Sequence, residues 1–125
     1  MPARIRDEAN ALCWNELYTR DAARARTFYT GLFGWRTKED PGGYTEWQRG
    51  ETSVGGMLAI QPEWGPMPPH WLPYFAVDDC DATVAKVGQL GGSTMMPPRD
   101  IPKVGRFAIV RDPQGAAFAV IKVVM

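Results

Sequence analysis

Two stretches that read alike decide the fold. Leu17-Tyr18-Thr19-Arg20-Asp21 runs on to Leu32-Phe33-Gly34, and Phe75-Ala76-Val77-Asp78-Asp79 runs on to Leu90-Gly91-Gly92. Aligning Asp21 with Asp79 places Leu32 on Leu90 and Gly34 on Gly92 at one constant offset. Identities are few, but the order of local signals is the same in both halves. That agreement marks an internal repeat.

Cys13 to Thr19 alternates as a strand, with Trp14, Glu16 and Tyr18 on one face. Asp21 then stands where a helix N-cap belongs, and Ala25, Phe28, Tyr29, Leu32 and Phe33 follow at helical spacing. Gly34 stops this helix. A short strand is expected over Trp35 to Lys38, a turn at Gly42-Gly43, and strands over Tyr44 to Arg49 and Ser53 to Gln61. The second half repeats the plan. Leu72 to Val77 reads as a strand, Asp79 or Asp81 as a cap, and Val84, Val87 and Leu90 as the helix stripe. Thr94 to Met96 is a short strand, and Arg106 to Arg111 and Ala116 to Val123 flank the turn Asp112-Pro113-Gln114-Gly115. Pro62 to Pro69 carries four of the eleven prolines and reads as a linker. The expected fold class is therefore α+β. Two βαβββ modules, about 11–61 and 71–123, pair in one domain across the linker 62–70. Neither could bury a sheet face alone, so a curved sheet around a cleft is expected.

At 125 residues, with 45% hydrophobic and 22% charged residues, the chain has ordinary globular composition. Fourteen basic residues balance fourteen acidic ones, leaving nothing to neutralise a nucleic-acid backbone. No apolar run approaches a membrane span, and Met1 to Asn10 is polar, so neither a membrane nor a secretory signal is expected. Cys13 and Cys80 fit no disulfide framework and no metal clip, and read as small reduced thiols of a cytoplasmic protein.

The plan resembles the vicinal oxygen chelate superfamily, the glyoxalase, bleomycin-resistance and extradiol dioxygenase group. Trp14 to Asp21, Phe28-Tyr29 with Leu32-Phe33-Gly34-Trp35, and Gly55-Gly56-Met57 carry the resemblance in the first half. Tyr74 to Asp79 and the Asp112-Pro113-Gln114-Gly115 turn carry it in the second. The family spans lyases, isomerases, dioxygenases, thiol transferases and binding proteins, so the resemblance implies the fold more narrowly than the activity. Its metalloenzymes place His, Gln or Glu at four equivalent positions, which the resemblance carries onto Trp14, Leu72, Ala119 and a place at or within two residues of Met57. Indole and alkyl side chains bind no hard or borderline cation, and a thioether does so poorly. No metal and no cofactor is expected.

Glu16 is the candidate catalytic or ligand-orienting group, a carboxylate that needs a donor or ligand if buried. Trp14, Glu16, Trp47, Met57, Tyr74 and Phe107 are expected to line the cleft, although plain core packing competes for each ring. Gly55 and Gly56 suggest a bulge or close backbone approach. Trp64 and Trp71 flank the linker, where His70 reads as a surface residue beyond the ligand positions.

The leading expectation is a metal-independent binder of a small apolar or aromatic molecule, acting as a homodimer. The neutral charge lacks the acidity suited to sequestering a cationic drug. The alternative is a lyase, isomerase or dioxygenase, either with a rearranged metal site drawing on His70 with Glu16 or Glu46, or metal-free with Glu16 as general base. A dimer with a structural or regulatory role is the third class.

Overall fold

Each helix starts at the aspartate that the repeat singles out. Asp21 Oδ1 accepts the Arg24 N–H and Asp79 Oδ1 accepts the Ala82 N–H, both at 3.0 Å. Each satisfies an amide that the first turn leaves unpaired. Helix α1 accordingly spans Ala22–Phe33 and α2 spans Cys80–Gln89. Gly34, at φ 72°, ends α1 by donating its N–H to the Thr30 carbonyl. After α2 the left-handed residue is Gly91, and the Gly92 N–H returns to Val87 O at 2.9 Å.

The computed structural model describes residues 8–41, 43–62 and 65–124. Trp64, and Gly42 of the expected glycine turn, lie outside the described residues. The strands are β1 Leu12–Thr19, β2 Arg36–Glu39, β3 Thr45–Arg49, β4 Thr52–Ala59, β5 His70–Ala76, β6 Ser93–Ile101, β7 Gly105–Arg111 and β8 Ala117–Val123. Their order with the helices is β-α-β-β-β twice over, so the fold is α+β and the repeat is real. No described helix is long and apolar enough to cross a membrane.

Two compact units are present, residues 15–72 and residues 8–14 with 73–124. Residues 8–14 join the second unit because the Asn10 N–H donates to Ala76 O and the Ala76 N–H to Ala11 O. The start of β5 belongs to the first, where Trp71 Nε1 donates to the Tyr29 hydroxyl at 3.2 Å.

In the first unit the strand order is β2-β3-β4-β1, and β1 runs parallel to β4 with Glu16 beside Gly56 and Leu17 beside Met57. In the second the order is β5-β8-β7-β6, and β5 runs parallel to β8 with Tyr74 beside Ala119. Each helix covers one face of its own strands. Leu17, Trp47 and Met57 pack with Ala22, Ala25, Tyr29, Trp35 and Val54 in the first unit. Val77, Cys80, Ala108 and Val120 pack with Val84 and Phe118 in the second.

Three expectations need correction. The α1 stripe is narrower than its spacing suggests: Ala22, Ala25 and Tyr29 meet the sheet, whereas Phe28, Leu32 and Phe33 remain 59%, 59% and 56% exposed. At 3.6 residues per turn, Phe28 is rotated off the row that Tyr29 occupies. The short strand at Thr94–Met96 is instead the nine-residue β6, running through Pro97 and Pro98. It is an edge strand with register shifts between Thr94 and Met96 and between Met96 and Arg99, a setting in which proline is tolerated. His70 is no linker residue. It opens β5, half-buried, with its ring stacked on Tyr18 at 5.1 Å between centroids.

The turn Asp112-Pro113-Gln114-Gly115 forms as the sequence predicts. Asp112 Oδ1 accepts from the Gln114 and Ala116 amides, and Gly115 takes the positive φ of 97°. It sets the register of β7 on β8, which puts Ile109 opposite Ala119.

Candidate ligand-binding site

Strand alternation sorts the expected site residues between two faces in the first unit. Leu17, Met57 and Trp47 turn toward α1, and Trp47 is fully buried there with its Nε1–H on Gly56 O at 3.1 Å. Glu16 lies beside Gly56, one residue out of phase with the Leu17–Met57 pair, so it points to the opposite face. Trp47 and Met57 therefore do not share a face with Glu16. The expectation that all three line one surface is corrected by the register of β3 and β4 on β1.

On the Glu16 face the structure gathers residues that the sequence did not single out as a set. Glu16 is buried, at 6% exposure. The Tyr44 hydroxyl donates to Glu16 Oε2 at 2.5 Å, and the Tyr18 hydroxyl lies 3.4 Å from Oε1. Burying a carboxylate is costly without such donors, and two phenols meet the need at a point where β1 and β4 run side by side. Gly56 makes the room. A Cβ there would stand 1.7 Å from the Tyr44 oxygen. Glu46, opposite Gly56 on β3, accepts from Ser53 Oγ at 2.5 Å.

Next along this face, the Tyr18 ring carries His70 in a parallel stack, 9° between planes. His70 Nδ1 sits 2.8 Å from Pro68 O. A carbonyl only accepts, so the ring proton is on Nδ1 and Nε2 keeps its lone pair in the neutral form. Strand alternation put Tyr18 on the Glu16 face, but Tyr44 and the contacts of His70 were missed at the level of sequence. Only the Gly55-Gly56 pair hinted that something comes close there.

In the second unit the corresponding face is apolar. Tyr74 is buried beside Ala119, and Phe107 lies opposite Ile121, half-buried. The Tyr74 and Phe107 rings stack at 6.1 Å and 26°. Trp14 is half-buried. Tyr74 and Phe107 are thus brought into contact, on the face away from the α2 core.

The register also tests the metal positions. Ala119 lies beside Tyr74 as Gly56 lies beside Glu16, so the first-unit equivalent of Ala119 is Gly56 and not Met57. Trp14, Leu72, Gly56 and Ala119 offer no oxygen, imidazole or thiolate donor from their side chains, and a metal held at those four places does not fit this chain. Among the described residues no group of three or more His, Cys, Asp and Glu is arranged to hold an ion. The thiols are poor nucleophiles. Burial pushes Cys13 up to about 11, and burial followed by the Asp81 charge pushes Cys80 up.

Known proteins share this architecture. The chain is 43% identical over 124 residues to the protein named "Putative glyoxylase CFP32" of Mycobacterium tuberculosis, covering 96% of this chain and 47% of that protein. It is 40% identical over 126 residues to the anthracycline biosynthesis protein DnrV of Streptomyces peucetius, covering 88% of this chain and 46% of that one. The chain thus spans about half the length of the curated relatives it matches. Among solved structures, methylmalonyl-CoA epimerase from Mycobacterium tuberculosis superposes with a TM-score of 0.62 at 12% identity, over 97% of this chain and 94% of that one. An extradiol ring-cleaving dioxygenase from B. fuscum gives 0.63 at 19% identity, over 98% of this chain and 35% of that one. These likenesses establish the fold alone. A family model matches residues 11–120, nearly the whole of both βαβββ repeats, and the chain belongs to the Glyoxalase/Bleomycin resistance protein/Dioxygenase superfamily.

Proposed function

We propose that the chain is a metal-independent binder of a small apolar or aromatic molecule, with Glu16 orienting a hydroxyl, amine or cationic group of that ligand. One observation carries this reading. A buried carboxylate stands on the sheet face away from α1, held by tyrosine hydroxyls, while the positions at which family members place metal donors hold Trp14, Leu72, Gly56 and Ala119. A hydrogen-bonded carboxyl group kept in such a place is suited to recognition of a polar group on an otherwise apolar molecule. The 40% identity to a protein of anthracycline biosynthesis directs the choice of first probe to a fused-ring aromatic.

The test is a fluorescence titration of chelator-treated protein with an anthracycline, paired with thermal melts. The expected result is saturable binding, with stability rising by about 2.7 kcal/mol at a hundredfold excess of ligand over Kd, unchanged by added Zn, Mn, Fe, Ni or Mg. Binding that appears only after metal is added overturns metal independence. Glu16→Gln is expected to weaken the amine-bearing ligand.

A second reading is supported by the same buried carboxylate: a lyase or isomerase in which Glu16 takes a proton from a bound carbon acid. In that case Glu16→Gln leaves binding intact and abolishes turnover, the opposite of the pattern expected of a binder.

A further inference from the structure

Glu16 does not hold its place by itself: besides Tyr18 of β1, a residue from outside that strand reaches it. Tyr44 immediately precedes β3, and its hydroxyl reaches across to Glu16 Oε2 at 2.5 Å. Between them lies Gly56 of β4, in register with Glu16 on one side and Glu46 on the other. A Cβ at Gly56 would meet Tyr44 at 1.7 Å from Oη, 2.3 Å from Cζ and 3.0 Å from Cε1. All three atoms belong to the far end of a side chain that can swing away. The cost of filling this position therefore falls on the phenol and not on the backbone. Gly55, one residue earlier, is different: its Cβ would meet the Asn15 carbonyl at 2.8 Å, so that glycine serves the β1–β4 approach itself.

We infer that Tyr44 is a positioning residue of the Glu16 site and that Gly56 is the vacancy that admits its hydroxyl. The inference rests on the proposed role of Glu16 in ligand recognition and adds what fixes the direction of that carboxylate. Tyr44 donates to Oε2 and so orients the group about its last torsion, which is otherwise broad and soft. The ligand's polar group then meets a carboxylate already turned, with less ordering left to do on binding.

The experiment uses the full chain labelled with 13C at the glutamate carboxyls, with the Glu16 signal assigned by its loss in Glu16→Gln. Tyr44→Phe, which keeps the ring, and Gly56→Ala, which displaces it, are each expected to move the Glu16 signal in the same direction. The double variant should move it no further. Gly31→Ala, at a position with nothing within 4 Å, should leave it in place. A Glu16 signal unmoved by Tyr44→Phe overturns the assignment. The second arm titrates an anthracycline carrying its amino sugar and the corresponding aglycone. Tyr44→Phe and Gly56→Ala should each weaken the first by about tenfold and leave the second unchanged. Equal loss for both probes, or none for either, overturns the positioning role in recognition. Wild-type protein that binds neither probe fails the binder reading instead, and the carboxyl signal still decides whether Tyr44 holds Glu16.

Discussion

The same three lattice places in the two units carry opposite chemistry. In the first, Glu16, Gly56 and Glu46 stand side by side on β1, β4 and β3. In the second, Tyr74, Ala119 and Ile109 occupy the matching places on β5, β8 and β7. One row is a carboxylate, a vacancy and a second carboxylate; the other is a ring, a methyl and a branched alkyl group. Both rows lie on the face turned away from the helix, and both sets of strands pair regardless. The opposite face is alike in the two units, with Leu17, Met57 and Trp47 under α1 and Ala108 and Val120 under α2. The fold is carried by the helix-facing side. The other side is left free to hold a site, and in the first unit it carries the buried carboxyl group of Glu16.

If that division is right, disturbing the helix-facing side should be the most damaging change. Trp47→Ala empties a fully buried place and removes the bond to Gly56 O, so it is expected to cost about 3–5 kcal/mol in denaturant unfolding. Val110→Ala, at an equally buried place in the second unit, should cost about 2 kcal/mol. A Trp47→Ala cost below that of Val110→Ala would mean that the first unit does not depend on the face assigned to it.

One of the two buried thiols of the second unit, Cys13, offers a smaller effect that depends on pH. Cys13 is raised by burial from 9.0 to about 11. An acid whose folded-state value is raised keeps its proton longer in the folded chain, so its stabilising contribution is whole below pH 9 and is lost between about pH 9 and 11. The loss is expected to reach roughly 2 kcal/mol and to vanish in Cys13→Ala, as read from melts of both proteins across that range. Parallel pH profiles for the two proteins would contradict the burial assigned to this thiol.

The smallest effect tests the repeat itself. Asp21→Ala and Asp79→Ala each remove one N-cap with the same 3.0 Å geometry, and each should cost about 1 kcal/mol. Costs that differ by more than about 1 kcal/mol would show that the two helices do not contribute alike to the fold.

Much of this architecture is legible locally. Asp21, Asp79, Gly34 and the Asp112 turn announce themselves because their hydrogen bonds run to residues a few positions away. Less legible is the face that Trp47 takes. Alternation along β3 allows two faces, and the choice rests on pairing with β4, whose register shifts between Trp47 and Gln48. Edge position made β6 longer than its prolines suggest, and a stack on Tyr18 gave His70 a place in the fold that its proline-rich surroundings hide.

The sequence by itself determined the repeat, the α+β class, the capped helices and a strand face bearing Glu16, since each follows from residue type and short-range spacing. Only the tertiary structure decided that Trp47 and Met57 belong to the helix core, that Gly56 takes the place expected near Met57, and that Tyr44 reaches Glu16. Those outcomes depend on which residues of distant strands lie opposite one another. A register set by many backbone bonds and two buried faces is a property of the whole sheet, written in no single stretch of the chain.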